Sequence, residues 1–150
     1  MKEVLILHGP NLNLLGEREP EIYGAMTLAE LDERLLQEGE ALGLKVHSTQ
    51  SNQEGALIDA LHEARGWASG VIFNPGGYTH TSVALLDAVA AIEIPVVEVH
   101  LSNVHAREDF RGRSLIAKAC VGQIAGFGWR SYQLALHVLK GILDQEEGAT

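Results

Sequence analysis

The sequence predicts an α/β fold in which one sheet of five parallel strands carries helices on both faces. Short, continuous apolar runs such as Val4–Leu7 and Gly70–Asn74 are typical of strands that are covered on both faces. Segments with helical periodicity separate these runs, which favours a parallel sheet with crossover helices. The 150 residues, 46% of them hydrophobic, suffice for one core, so residues 1–150 are predicted to form a single domain.

The first half of the chain is predicted to hold two strands and two helices. After the strand Val4–Leu7, a polar segment at about residues 9–26 is unusually long for a connection and is typical of a lid. Thr27–Glu30 is a capping box that begins a helix, and Leu44–Gln50 alternates like a strand nearer an edge. A second capping box, Ser51–Glu54, is expected to begin the next helix. Its inward positions are expected to be Ala56, Leu57, Ala60, Leu61 and Ala64.

The second half continues the alternation and ends in an amphipathic helix. The predicted elements are a strand at Gly70–Asn74, a helix at Val83–Ile92, a strand at Pro95–Val99, a strand at Val121–Phe127 and a helix at Trp129–Glu147. The apolar positions of the closing helix are Tyr132, Leu134, Leu136, Leu139 and Leu143. Five such units favour the flavodoxin-like strand order 2-1-3-4-5, in which ligands bind outside the carboxyl ends of the strands.

Polar side chains follow the first, third and fourth strands, which are neighbours in that order. Asn11 follows strand 1, Asn74 and His80 follow strand 3, and His100 and Ser102 follow strand 4. Because the carboxyl ends of parallel strands lie at one edge of a sheet, we expect these loops to converge on one crevice.

The stretch Glu98–Arg111 contains the chemistry of an acid and of an anion site. Glu98 and His100 are two residues apart on a strand, so their side chains start on the same face and the carboxylate can favour an imidazolium. The backbone N–H groups of Leu101 and Ser102 can hold a carboxylate, and Asn74, His80 and Arg111 can bond hydroxyl groups. The alternatives are a solvated loop with a helix cap and a purely structural Glu–His pair.

The long polar segment contributes Arg18 and Tyr23. A neutral phenol is a poor base near neutral pH, and a guanidinium held beside it favours the phenolate. A lid that carries both side chains over a substrate would create a strong base when it closes. The alternative for Tyr23 is an amphipathic anchor of the loop.

Composition and missing motifs exclude several functions. The net charge of −9 and the lack of a basic run argue against a nucleic-acid partner. One cysteine, no signal-peptide pattern and no membrane-spanning run predict a soluble cytoplasmic protein without a membrane partner. There is no GxGxxG, P-loop or zinc spacing, so no cofactor or metal is expected. The converging loops carry no lysine for a Schiff base.

The predicted helix Val83–Ile92 is apolar around almost its whole circumference, apart from Asp87. Such a helix must be covered on both sides, and in a domain of this size a partner subunit can provide the cover. We therefore expect a homo-oligomer. For Asp87 we expect a charge network across subunits, with simple solvent exposure as the alternative.

Three motifs in register closely resemble type II 3-dehydroquinate dehydratase, and the resemblance covers essentially the whole chain. The motifs are Gly9–Gly24, Asn74–Ser82, and Glu98–Asn103 followed by Arg107–Arg111. The chain departs from the family's usual sequence at His8, where Asn is frequent, and at Gly76–Gly77, where Ala is frequent. The resemblance implies a lyase of the shikimate pathway or of quinate breakdown that forms 3-dehydroshikimate by anti elimination through an enolate, without a cofactor. It also implies a dodecamer built as a tetramer of trimers.

The resemblance also implies roles for individual residues. Tyr23 would remove the proton α to the ketone, with its pKa lowered by Arg18, and Asn11 would help hold a water that stabilises the enolate. His100, oriented by Glu98, would protonate the departing hydroxyl. The substrate carboxylate would bind Leu101 and Ser102, and its hydroxyls would bind Asn74, His80 and Arg111, while Asp87 would approach the site of a neighbouring subunit.

Two rivals remain at this point. One is another cofactor-free lyase or isomerase acting on a cyclic hydroxy acid. The other is a non-catalytic flavodoxin-like module that binds a small molecule. Against the second, strand 1 ends in Leu-His-Gly instead of an acidic pair, and strand 5 has no lysine at its end.

Overall fold

Five parallel strands form one sheet in the computed structural model, which describes residues 1–148. The strands are β1 (Lys2–His8), β2 (Leu44–Gln50), β3 (Gly70–Asn74), β4 (Val96–His100) and β5 (Gly122–Ala125). Their order across the sheet is β2-β1-β3-β4-β5, which confirms the predicted order and the edge position of the second strand.

Five α-helices connect and cover the strands: α1 (Pro20–Tyr23), α2 (Leu28–Ala41), α3 (Glu54–Ala64), α4 (Val83–Ile92) and α5 (Trp129–Gly148). Short turns of 3-10 helix lie at Leu12–Leu14, Gly76–His80, Val104–Ala106, Asp109–Gly112 and Ala117–Ala119. None of the helices within residues 1–148 is both long and apolar enough to cross a membrane.

The two faces of the sheet carry separate hydrophobic cores. One core joins Val4 and Ile6 of β1 to α2 and α5. The other joins Leu5 and Leu7 of the same strand to α3 and α4. Val4–Leu7 of β1 therefore point alternately to the two faces and are all buried, which explains the continuous apolar run in the sequence.

The ends of β1 and β3 are held against each other. His8 lies beside Asn74 in the parallel register, and the Gly9 N–H donates to the Asn74 carbonyl at 2.7 Å. A Cβ atom at Gly9 would lie 2.6 Å from the backbone carbon and oxygen of Pro75, so only glycine permits this approach. The two loops that follow these strands consequently start side by side.

Helix capping was predicted correctly at one helix and wrongly at another. Thr27 accepts a hydrogen bond from the Glu30 N–H at 3.2 Å, as expected. Ser51 does not cap α3, because that helix begins only at Glu54 and Gln53 occupies the N-cap position. Instead, Ser51 accepts from the Gln53 N–H within a turn, and the Glu54 carboxylate accepts a hydrogen bond from Ser82 at 2.6 Å.

Three further expectations need correction. The connection at residues 9–26 is not structureless, since it contains a 3-10 turn and the short helix α1. Ala56 was expected to face inward but is exposed, because α3 packs through Leu57, Leu61 and Ala64. Leu134 of α5 was expected in the apolar face but is 44% exposed.

Candidate active site

A crevice lies at the carboxyl ends of β1, β3 and β4, where the sequence places it. It opens to solvent and is lined by the loops that follow these three strands, which is where open α/β sheets bind ligands. Nine of the predicted site residues line it: Asn11, Arg18, Tyr23, Asn74, His80, His100, Leu101, Ser102 and Arg111. Glu98 lies behind His100, and Asp87 lies on the exposed side of α4.

His100 and Glu98 form a buried pair at the end of β4. The His100 Nε2–H donates to Glu98 Oε2 at 2.6 Å, and Glu98 is fully buried. Because a carboxylate only accepts hydrogen bonds, Nε2 must carry a proton, and Nδ1 is the ring nitrogen left for a ligand. The ring can therefore hold a second proton at Nδ1 and deliver it into the crevice as a general acid.

The Glu98 carboxylate is saturated with donors. Ser114 donates to Oε1 at 2.7 Å and Gln123 donates to Oε2 at 2.5 Å, in addition to the bond from His100. Burial by itself raises the pKa of the Glu98 carboxyl, but the hydrogen bonds and the positive charge of His100 outweigh it, so the pKa lies below its ordinary value. Glu98 therefore remains an anion behind the imidazole ring.

Tyr23, at the end of α1, lines the same crevice as His100. The Arg107 Nη1–H donates to the Tyr23 hydroxyl oxygen at 2.7 Å. The Arg18 guanidinium lies over the tyrosine ring, 4.8 Å from its centroid. Arg107 therefore bonds the phenol oxygen directly, whereas Arg18 lies against the face of the ring.

Arg107 is the site residue that the sequence analysis did not assign. In the sequence it stands only as the first residue of the motif Arg107–Arg111. In the structure it bonds Tyr23, approaches Ser102 Oγ at 3.5 Å and lies 4.0 Å from the Glu19 carboxylate. Its position among basic residues of an acidic protein was a signal, but spacing within a loop does not show where a side chain points.

Part of the crevice lining is formed by the end of β3 and the turn that follows it. His80 Nδ1 donates to the Arg113 carbonyl oxygen at 2.8 Å, and the ring packs edge-on against Phe110. Since a carbonyl only accepts, neutral His80 carries its proton on Nδ1 and offers Nε2 as an acceptor. Asn74 is buried beside it at the base of the crevice.

The backbone shape around the crevice depends on Asn11. Its φ of 70° lies in the left-handed region, which asparagine adopts more readily than most residues. The Asn11 N–H donates to the Asn52 side-chain oxygen at 2.9 Å, which fixes the turn from which the Asn11 side chain reaches the crevice.

The crevice is suited to an anion. Its lining within residues 1–148 includes Arg18, Arg107 and Arg111 but no carboxylate. Arg111 is itself bonded to Glu108 at the rim, and this bond lowers the pKa of the exposed Glu108 carboxyl. A positively charged cleft within a protein of net charge −9 concentrates positive potential where a small anionic ligand would bind.

Comparison with known proteins gives one consistent result. The family model for dehydroquinase class II matches residues 2–140. A 3-dehydroquinate dehydratase of Ruegeria pomeroyi is 54% identical over 146 residues, which cover 97% of this chain and 98% of that protein. A 3-dehydroquinate dehydratase of Rhizobium etli is 58% identical over 139 residues, covering 93% of this chain and 96% of that protein.

Solved structures agree with the sequence relatives. A type II dehydroquinase from Butyrivibrio crossotus superposes with a TM-score of 0.90 at 42% identity, covering 92% of this chain and 97% of that one. A type II dehydroquinase from Propionibacterium acnes gives a TM-score of 0.91 at 40% identity, covering 94% of this chain and 97% of that one.

The lowered pKa of Glu98 predicts how stability depends on pH. Its contribution to the free energy of unfolding is fully present above the ordinary value of 4.5 and is lost as the pH falls through the lower folded-state pKa. Below about pH 4.5 the wild type should therefore lose stability more steeply than Glu98→Gln, measured by urea unfolding. The exposed Glu33→Gln serves as control, and parallel curves for wild type and Glu98→Gln would contradict the assignment.

Proposed function

The chain belongs to the dehydroquinase class II family, and we propose that Tyr23 and His100 are the base and the acid of its reaction. The chain is a hydro-lyase of the type II 3-dehydroquinate dehydratase kind, which acts in the shikimate pathway. This membership decides against a non-catalytic binding module. The observation that carries the proposed mechanism is that the Arg107–Tyr23 bond and the His100–Glu98 pair lie in the same crevice.

The base half of the reaction begins at the Tyr23 oxygen. The hydrogen bond from Arg107 stabilises the phenolate, and Arg18 adds positive potential over the ring. The phenolate takes a proton from the carbon next to the substrate ketone, and the electron pair of that C–H bond forms an enolate. A water held with the help of Asn11 stabilises the enolate oxygen in this scheme.

The acid half completes the elimination. As the enolate returns to the ketone, the bond to the departing hydroxyl breaks, and His100 Nδ1 delivers the proton that converts this hydroxyl to water. The Glu98 carboxylate at 2.6 Å stabilises the imidazolium before the transfer. Base and acid act on opposite faces of the substrate ring, which gives an anti elimination. The Tyr23 proton then returns to His100 through solvent, so the enzyme is restored without a cofactor.

Substrate binding is proposed to use the remaining lining residues. The N–H groups of Leu101 and Ser102 bind the substrate carboxylate, and the three arginines of the crevice supply positive potential. Asn74, His80 and Arg111 bind the hydroxyl groups. His80 Nε2 accepts a hydrogen bond from a substrate hydroxyl in this proposal, because the Nδ1–H of the ring already donates to the Arg113 carbonyl.

We also propose that residues 9–26 form the lid of this site. The segment carries both Arg18 and Tyr23, and α1 contributes no buried residue to the core. Leu12 and Leu15 of this segment are buried in the hydrophobic core, and Tyr23 packs against it. The contacts of Arg107 with Tyr23 and Glu19 are polar and attach α1 to the loop after β4, so these contacts can break and form. Lid movement would therefore assemble and remove the base.

A homo-oligomer, with the dodecamer as its final form, is proposed from the exposed face of α4. Val83 is 58% exposed on this helix, and Ala84 and Ala90 are also exposed, so part of its apolar surface is uncovered in a single chain. Asp87 lies on the same exposed side and is proposed to meet the site of a neighbouring subunit.

Removing the phenol oxygen tests the base. Tyr23→Phe should lower kcat by about 10²–10⁴-fold, as expected for loss of a general base, when product formation is followed by the ultraviolet absorbance of the conjugated ketone. Tyr78→Phe is the matched control, because the Tyr78 hydroxyl bonds the Asn52 carbonyl outside the crevice. Near-normal turnover by Tyr23→Phe would show that another group removes the proton.

Removing the cation at the phenol oxygen tests the role of Arg107. A hydrogen bond from a charged donor contributes about 1.5–3 kcal/mol, so Arg107→Gln should lower kcat by about 10–150-fold in steady-state assays. Arg113→Gln is the control, since the Arg113 side chain is exposed and its carbonyl bond to His80 is retained. If both variants lost the same activity, the effect would reflect general charge and not the bond to Tyr23.

Sedimentation tests the assembly. The wild type should sediment as a dodecamer, and Val83→Glu, which places a charge on the exposed face of α4, should sediment as a smaller species. A wild-type mass near the 16.2 kDa of a single chain would contradict the proposed assembly.

A further inference from the structure

A chain of hydrogen bonds leads from the protein surface to the base of the crevice. His8 Nε2 lies 2.7 Å from Asp32 Oδ1, and His8 Nδ1 lies 2.9 Å from the Tyr132 hydroxyl. Asn74 Nδ2 donates to the same hydroxyl at 3.0 Å. His8 and Tyr132 are fully buried, whereas the Asp32 side chain is 33% exposed on α2. None of these bonds takes part in the mechanism described above.

The hydroxyl of Tyr132 determines which group donates in each of these hydrogen bonds. Burial raises the pKa of Tyr132 far above its ordinary value, so the hydroxyl keeps its proton and must donate it. The amide nitrogen of Asn74 cannot accept that proton, whereas His8 Nδ1 can. His8 is then neutral with its proton on Nε2, which it donates to the Asp32 carboxylate. Every bond thus runs one way, from Asn74 through Tyr132 and His8 to Asp32.

The contacts at both ends of this row of hydrogen bonds oppose the opposite assignment of donors and acceptors. At the inner end, the Asn74 side-chain oxygen accepts from the Gly76 N–H at 3.1 Å, so a flipped amide would set two N–H groups against each other. At the outer end, a reversed chain would move the His8 proton to Nδ1 and turn the lone pair of Nε2 toward a carboxylate. Each reversal leaves a polar group in the protein interior without a suitable partner, which is unfavourable.

We propose that Asp32, His8 and Tyr132 are positioning residues that fix the amide of Asn74, so that Asn74 offers an N–H donor to a hydroxyl group of the substrate. This inference rests on the proposed function, because it takes Asn74 to bind the substrate. It also fixes which group donates and which accepts a hydrogen bond where the substrate hydroxyls are proposed to bind. Asn74 donates, while neutral His80 accepts at Nε2, and a hydroxyl group is the ligand that can accept from one and donate to the other.

A double-mutant cycle between Asp32 and Asn74 tests the inference. Loss of one hydrogen bond corresponds to about 0.5–1.5 kcal/mol, so Asp32→Ala should raise KM about threefold to tenfold and change kcat less than about twofold. In an Asn74→Ala background the same change should have no further effect, because the residue it positions is gone. Asp32→Asn, which keeps an oxygen acceptor for His8, should restore the wild-type KM. Glu33→Ala, one residue along α2 and exposed, is the matched control.

Tyr132→Phe provides the second arm, since it removes only the hydroxyl at the centre of the chain. It should raise KM in the wild type and not in Asn74→Ala. If this buried substitution prevents folding, the Asp32 cycle decides alone, because Asp32 lies partly exposed on a helix. An equal factor in both backgrounds, or an unchanged KM in Asp32→Ala, would overturn the positioning role. An unchanged KM in Asn74→Ala itself would instead overturn the proposed contact of Asn74 with the substrate, and the inference with it.

Discussion

The adjacency of β1, β3 and β4 is the constraint on which the site depends. Parallel register sets His8 beside Asn74, and Phe73 beside Glu98, so three strands end at one level of the sheet. The hydrogen bond from the Gly9 N–H to the Asn74 carbonyl then holds the first two loops together where they begin. Residues far apart in sequence meet because the order of winding reverses between these strands, which is where open α/β sheets bind ligands.

The buried ionisable side chains at this edge of the sheet are compensated by hydrogen bonds. Glu98 is fully buried and receives hydrogen bonds from His100, Ser114 and Gln123. His8 is fully buried and uses both ring nitrogens. Since an unpaired buried charge or polar group would be costly, these contacts hold His100 and the residues around His8 in one geometry. The crevice is therefore largely preorganised on the sheet side.

Sequence reasoning reached the sheet order and most of the lining because both follow from local patterns. Apolar runs mark the strands, and the two-residue spacing of Glu98 and His100 fixes a common face. It failed where a contact depends on loop geometry or on side chains from distant elements. Ser51 matches a capping box but caps nothing, because the helix starts later. His8 was noted only as a departure from the resemblance, since its partners on α2 and α5 become neighbours only after folding.

Arg107 shows why the two halves of the site cannot be separated. It belongs to the loop that follows the acid, yet it donates to the tyrosine that is proposed as the base, 84 residues earlier in the chain. A phenol without a cation at its oxygen is a poor base at neutral pH, whereas a buried imidazole beside a carboxylate holds its geometry alone. The proposed acid is thus held at the sheet edge by its own buried contacts. The proposed base instead depends on a contact between residues 9–26 and the loop after β4, so the proposed mechanism needs both segments in place.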